Sequence, residues 1–492
     1  MLGGKGLQQI LLFVRILLIA RLLPPSEVGL MGVALVTLAF LEVLTATGFS
    51  EALISKGERI GEYLHPAWTL LAVRGAIIAL LVVAGAPQLA AFAGDVEATH
   101  ILQIAALGVL LQGLSSPMVP RLWVDLKVGR LMICETVAVF VDLTVTVILA
   151  WVWADALAMA IGYVLGRLTY SIATYIAAPA VPRLDFTWAK MAELYRFGRW
   201  IGRSQLIVFG YSQADALFVS HLMGTYWLAV HQVAQRLSLT PVRQFTAGLG
   251  QVLFPAFSRL KENPSARVEL MVRALAINCG VMVPLTFTMM MFSEPITHLI
   301  LGKKWFAASP VMVGAAILML PNCVNALFGG LLMSLSRPDI ATKFQLFKLV
   351  VLLTSIIPLT LDSGVLGAIL AACLGELLAT PLHLHIVCRL AGIPRRRLLL
   401  PIGLPIVMGG VSVLVAHHST AAIGLGLIPG FIVALVLIAA LYAQLMLFVA
   451  PRLGLDLWRE IDFIRGAIAA RGNPTAPPRA EPPTSKADTS SD

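Results

Sequence analysis

The chain has 492 residues, of which 58% are hydrophobic and only 13% charged, with a formal net charge of +10. A soluble domain is roughly a quarter charged, so this balance excludes a soluble globular protein. The basic excess does not point to nucleic acid, because Lys and Arg fall in short clusters between apolar runs rather than on one polar surface.

From the start, Met1 to Gln9 is weakly basic and leads into an apolar run interrupted by Arg15, with no small-residue cleavage site, which reads as a retained first span. A hydrocarbon core about 30 Å thick needs roughly 20 apolar residues per helical crossing. Runs bounded by Gly, Pro or charge predict spans near 7–22, 28–50, 67–93, 99–120, 131–152, 156–178, 199–222, 226–255, 268–292, 307–334, 340–360, 364–388, 399–417 and 424–449. The expectation is an all-α polytopic membrane protein of about fourteen transmembrane helices. Pro117, Pro120, Pro241, Pro284 and Pro321 fall inside these runs and are expected to kink them.

Basic residues concentrate in alternate connections, as cytoplasmic loops require. Lys56 and Arg59, then Arg121, Lys127 and Arg130, then Arg183 to Arg203, Arg259 to Arg267, Arg337 and Lys343, and Arg395 to Arg397 mark the inner side. The outer connections hold little beyond Arg21, Lys303 and Lys304, so both termini are expected in the cytoplasm. No connection exceeds about 25 residues, which leaves no room for a nucleotide-binding domain. Pro451 to Ala470 mixes apolar and charged residues at helical spacing and is read as an interfacial amphipathic helix, and 471–492, rich in Pro, Ala, Ser and Thr, as a disordered tail.

Shifting the chain by about 200 residues aligns Leu22, Val33, Ala34 and Gly48 with Leu222, Val233, Ala234 and Gly248. Six spans separate the copies, so both enter the membrane from the same side. This predicts two parallel six-helix lobes, 1–180 and 181–390, with two additional helices over 391–450.

Ionisable groups at membrane depth normally face a cavity or a partner. Arg15, Arg74, Arg236 and Arg243 lie within spans, Arg236 and Arg243 on one helical face, and Arg21 lies at the outer edge of the first span. If they converge they form a cationic chamber for a diphosphate, whose oxygens suit the guanidinium fork. The competing reading is that each snorkels or pairs with a local carboxylate. Glu42 and Asp215 are candidates for such pairing, or for binding a coupling proton or sodium ion, and Asp142 and Glu376 are also placed within spans. The five cysteines lack metal-ligand spacing, and His383 and His385 fall on different faces, so no metal or other cofactor is expected. There is no GxxxxGK[ST], DxD or GxSxG motif, so no ATP hydrolysis and no enzyme activity are expected.

The run Arg21-Leu-Leu-Pro-Pro-Ser-Glu-Val-Gly29, followed by a span and Thr47-Gly-Phe-Ser-Glu-Ala-Leu53, resembles the N-terminal signature of bacterial polysaccharide flippases of the multidrug/oligosaccharidyl-lipid/polysaccharide exporter superfamily. Arg196-Phe-Gly198, Asp215, Gly302-Lys-Lys-Trp305 and Ser336-Arg-Pro338 resemble further landmarks of that family in order and spacing, over about residues 1–450. The resemblance implies a V-shaped pair of lobes in the inner membrane. It implies export of an undecaprenyl-diphosphate-linked repeat unit for exopolysaccharide, capsule or O-antigen, with the head group in a cationic cavity. Expected partners are that lipid-linked oligosaccharide, membrane lipid, a polysaccharide polymerase and a chain-length regulator. A multidrug exporter of the same superfamily, a membrane-embedded polymerase or ligase, and a structural scaffold are the alternatives.

Overall fold

A computed structural model of the protein describes residues 2–45, 48, 52–53, 56–260, 263–424 and 426–453. Among them every regular element is helical: α1 (Leu2–Leu22), α2 (Pro25–Leu44), α3 (Leu64–Phe92), α4 (Ala98–Gly113), the short α5 (Val119–Val124), α6 (Val128–Trp153), α7 (Leu157–Ala177), α8 (Trp188–Met223), α9 (Thr225–Arg259), α10 (Pro264–Met291), the short α11 (Ser293–Ile300), α12 (Ala308–Ile317), α13 (Met319–Ser334), α14 (Pro338–Ala391), α15 (Arg395–Ile423) and α16 (Leu427–Gln444). Ten helical segments among the described residues are long and apolar enough to cross a membrane, α12 and α13 counting as one. The chain is therefore a multi-pass membrane protein. The larger number expected from the sequence includes α1, α4 and α9, which are shorter or more polar, and counts α14 twice. The proposed helix over 451–470 and tail over 471–492 lie outside the described residues beyond Leu453.

Local chemistry accounts for most boundaries. Pro25 opens α2 in its first turn, where a missing N–H is harmless. Asn263 caps α10 by accepting the Ala266 amide. Gly392 and Gly424 end α14 and α15 in the left-handed conformation. Within α14, Gly364 takes φ 63° and ψ −143°, a combination that a Cβ makes costly, and the chain doubles back there into two antiparallel halves.

Pro241 and Pro284 sit inside α9 and α10 as the sequence predicts. Pro117 and Pro120 do not kink a long fourth span; α4 stops at Gly113 and Pro120 opens α5. Pro321 coincides with a break between α12 and α13, because its ring nitrogen cannot donate to the carbonyl one turn back.

Two apolar cores organise the helices. One gathers Ile19, Val33, Ile78, Leu102 and Met159 from α1 to α4 and α7. The other gathers Leu237, Met271, Met312, Phe328, Ile356 and Val387 from α9 to α14. Between them α2 packs on α8 and α9. Contact there is so close that a Cβ on Gly29 would lie 2.0 Å from the Thr225 carbonyl oxygen. Gly29→Ala is expected to lower the melting temperature in detergent, by overpacking worth about 1–3 kcal/mol. Gly85→Ala, where the added carbon meets only Leu89 Cδ1 at 3.8 Å, should leave the melting temperature unchanged or raised in the same scanning fluorimetry.

Candidate functional site

Arg15 and Arg236 meet. They line one cavity of about 640 Å³ between α1, α6, α7 and α9, together with Glu135, Asp142, Tyr163 and Arg167. Arg15 reaches it because α1 packs along α6, and its Nη2 donates to Asp142 Oδ1 at 3.1 Å. Its Nε is buried and has no hydrogen-bond partner among the described residues. Arg236 is exposed on its surface, and what it faces is cavity. It also lines an adjoining cavity of about 260 Å³ with Arg243, Gln213 and Gln235. A narrow extension of about 50 Å³ runs from Arg15 and Arg236 toward Trp305.

Trp305 is fully buried, and its indole Nε1 donates to the Ala20 carbonyl at 2.8 Å. That bond ties α1 to the segment before α12 at the end of the bundle away from the basic loops.

Arg21 lies at that same far end. It donates to the Ile300 carbonyl at 3.3 Å and also to Leu299. These are the last carbonyls of α11, where a cation completes the helix end and offsets its dipole. Arg21 lines none of the cavities described here.

Arg74 stands apart from Arg15 and Arg236. Its Nε donates to Thr45 Oγ1 at 2.8 Å and its Nη2 to the Glu42 carbonyl, so it closes the carboxyl end of α2. With Glu42 it lines a separate cavity of about 310 Å³. Gln112 and Tyr170 border both this cavity and the larger one, so the two adjoin. Asp215 is 5% exposed and lines none of these cavities; its side-chain partners are His231 and Gln235, and the Ala216 amide donates to its Oδ1 at 2.8 Å.

Two cations at membrane depth escaped the sequence reading. Arg167 is a single cation in the middle of an apolar run, and the rule that singled out Arg15 applies to it equally. Its guanidinium lies 5.1 Å from the Tyr163 ring centroid, a cation–π contact that aims it along the cavity wall. Lys348, also mid-span, donates to Glu376 at 2.9 Å, and these side chains are 7% and 1% exposed.

The cavity thus holds three guanidinium groups, Arg15, Arg167 and Arg236, facing two carboxylates, Glu135 and Asp142. Glu135 is partly engaged by Gln8, whose amide donates to it at 3.2 Å. In a low-dielectric wall this excess of positive charge attracts an anion strongly. Among the described residues no group of three or more His, Cys, Asp or Glu could hold a metal ion. At the basic end, Lys56 and Tyr63 both hydrogen-bond Glu193 at the start of α8, the tyrosine at 2.7 Å. Those bonds hold the Glu193 carboxyl below its ordinary pKa, so the tie persists as pH falls until that lowered value is passed.

The chain matches the model of a family described as "Polysaccharide biosynthesis protein" over residues 18–310. It is 21% identical over 407 residues to the lipopolysaccharide biosynthesis protein WzxC of Escherichia coli (strain K12), covering 82% of this chain and 83% of that one. It is 23% identical over 395 residues to the probable low-salt glycan biosynthesis flippase Agl15 of Haloferax volcanii, covering 78% and 80%. Among solved structures, the lipid II flippase MurJ in an inward closed conformation aligns with a TM-score of 0.74 at 13% identity, over 90% of this chain and 98% of that one. The last likeness shows a shared fold.

Proposed function

We infer, since the chain belongs to the polysaccharide biosynthesis protein family, that it is a flippase moving undecaprenyl-diphosphate-linked oligosaccharide repeat units across the inner membrane for exopolysaccharide, capsule or O-antigen synthesis. The observation that carries this reading is the cavity of about 640 Å³ in which Arg15 and Arg236, from helices far apart in the chain, face one space. A diphosphate matches that space in charge, and bidentate guanidinium contacts would hold it. The relatives' printed roles, lipopolysaccharide biosynthesis and glycan flipping, support the same substrate class.

In this reading Arg15 exchanges the carboxylate of Asp142 for phosphate oxygens, Arg167 and Arg236 hold the other side, and Arg243 and Arg74 guide the head group from the basic end. The polyprenyl tail stays in lipid. The two lobes, 1–180 and 181–390, rock about α2 to alternate access, with 391–450 as added helices and both termini cytoplasmic. Trp305 and Arg21 close the far end. The protein then acts as a transporter rather than an enzyme, feeding a polymerase and its chain-length regulator on the other side. A multidrug exporter is the second reading, and the excess of guanidinium over carboxylate in the cavity opposes a cationic drug.

Lipid analysis of a deletion strain tests this. Lipid-linked repeat units should accumulate facing the cytoplasm, and re-expression should clear them. Units that reach the periplasm and remain unpolymerised would instead make the chain a polymerase.

A further inference from the structure

The geometry points to a saccharide subsite in the cavity of about 310 Å³, where Glu42, Trp68, Gln112 and Tyr170 receive the sugar bonded to the diphosphate. The subsite rests on the flippase reading of the larger cavity and supplies what that cavity lacks, a means of telling one glycosylated lipid from another.

The two cavities differ in charge. The larger sets three guanidinium groups against two carboxylates and is net positive. In the smaller the charged residues are Glu42 and Arg74, which cancel. The bonds of Arg74 go to Thr45 Oγ1 and to the Glu42 main-chain carbonyl, and neither goes to the Glu42 carboxylate. A diphosphate is therefore favoured in the larger cavity and repelled by Glu42 in the smaller, whereas a neutral polyol is not repelled.

The smaller cavity calls for hydrogen-bond donors. Gln112 Oε1 is buried and accepts no hydrogen bond among the described residues. A buried acceptor needs a donor, and an ionised diphosphate has none to give. The Glu42 carboxylate, which only accepts, makes the same demand. Sugar hydroxyls meet it, and one can replace a water at such an acceptor without loss of the bond. Gln112 lies in the last turn of α4 and, with Tyr170, borders both cavities. That junction is where a sugar must lie when the diphosphate it is bonded to occupies the larger cavity.

The remaining wall is apolar and aromatic. Trp68 Nε1 donates to the Ser115 carbonyl at 2.9 Å, which fixes the indole and leaves ring surface for the ligand, and Tyr170 supplies a second ring. The C–H face of a pyranose packs on such surfaces while its hydroxyls reach the acceptors. A few placed polar groups in an apolar wall is the make-up of a small-molecule site. The volume stands at the lower end of such sites, roughly 300–1,000 Å³, and suits a single sugar rather than a whole repeat unit. Tight packing keeps Trp68 of α3 and Gln112 of α4 in register, since a Cβ on Gly113 would lie 2.8 Å from the Leu71 carbonyl oxygen.

Lipid binding by the full chain in nanodiscs tests this. The probes are bare undecaprenyl diphosphate and the same lipid carrying glucose, galactose, N-acetylglucosamine or N-acetylgalactosamine. The unmodified chain should bind at least one glycosylated lipid about tenfold more tightly than the bare one. Glu42→Gln and Gln112→Leu, each close in shape to the residue replaced, should both cut that preference several-fold, whereas Arg236→Ala should weaken every lipid together. A second measurement needs no variant. Analogues of the preferred lipid in which fluorine replaces one sugar hydroxyl keep the shape and lose the donor, and at least one should bind the unmodified chain about tenfold more weakly. Equal affinity for bare and glycosylated lipids, a preference unchanged in both variants, or fluorinated analogues that all bind as the parent does, overturns the subsite and leaves the flippase reading standing. An unmodified chain that binds none of the lipids, bare or glycosylated, overturns both.

Discussion

Arg236→Ala is expected to reduce polysaccharide export at least about 100-fold while leaving the amount of protein in the membrane unchanged. A charge-assisted hydrogen bond contributes about 1.5–3 kcal/mol, and a guanidinium spanning two phosphate oxygens makes two. Even the lower figure for both bonds corresponds to more than two orders of magnitude in affinity. Arg236 has room to act this way because it faces cavity on two sides. Arg15→Ala should have a comparable effect with one difference: it leaves Asp142 without the cation it bonds at 3.1 Å. Adding Asp142→Asn to Arg15→Ala should therefore restore stability without restoring export. Lys at either position keeps the charge and loses the fork, so partial export is expected. Export is scored by extracted polymer, abundance by immunoblotting of membranes, and accumulated lipid-linked units by chromatography. Normal export by Arg236→Ala would remove the diphosphate from this cavity. Arg21→Ala, which frees only the end of α11, should bind the lipid-linked head group as tightly as the unmodified protein.

Lys348→Met is expected to destabilise the fold by about 3–5 kcal/mol, because it leaves Glu376 as an uncompensated buried carboxylate. The site offers that carboxylate little other relief. Tyr211 and Asn325 donate neutral hydrogen bonds to it, at 2.6 and 3.0 Å, and the residue is 1% exposed. Glu376→Gln should also destabilise, since it strands the ammonium group instead. The double substitution Lys348→Met with Glu376→Gln removes both charges and keeps an amide for Tyr211 and Asn325. It should return to within about 1 kcal/mol of the unmodified protein, because an ion pair with good partners roughly balances its own desolvation. Reversible unfolding in mixed micelles of dodecyl maltoside and sodium dodecyl sulfate measures all three. A single Lys348→Met variant that unfolds at the unmodified midpoint would mean that the pair does not hold the two halves of α14 together.

Helix positions were legible because a span needs only a local property, a run of apolar residues, and the runs near 67–93 and 131–152 coincide closely with α3 and α6. The turn at Gly364 and the start of α2 at Pro25 are likewise local, since one residue's allowed backbone angles decide them. Local too is the presence of Arg15, Arg74 and Arg236 at membrane depth, together with Arg167, which the same rule covers. The companions of each charge were not legible. Arg15 finds Asp142 across 127 positions of sequence, Arg21 finds the end of α11 across 279, and Lys348 finds Glu376 only because α14 folds back on itself. An intramembrane cation must be satisfied, and that requirement is written in its own residue type. Whether a carboxylate, a helix end or an open cavity satisfies it depends on which helices pack together. Composition and charge thus determined a polytopic helical protein with buried cations, and tertiary packing alone decided that Arg15, Arg167 and Arg236 share one cavity while Arg21 and Arg74 close helix ends.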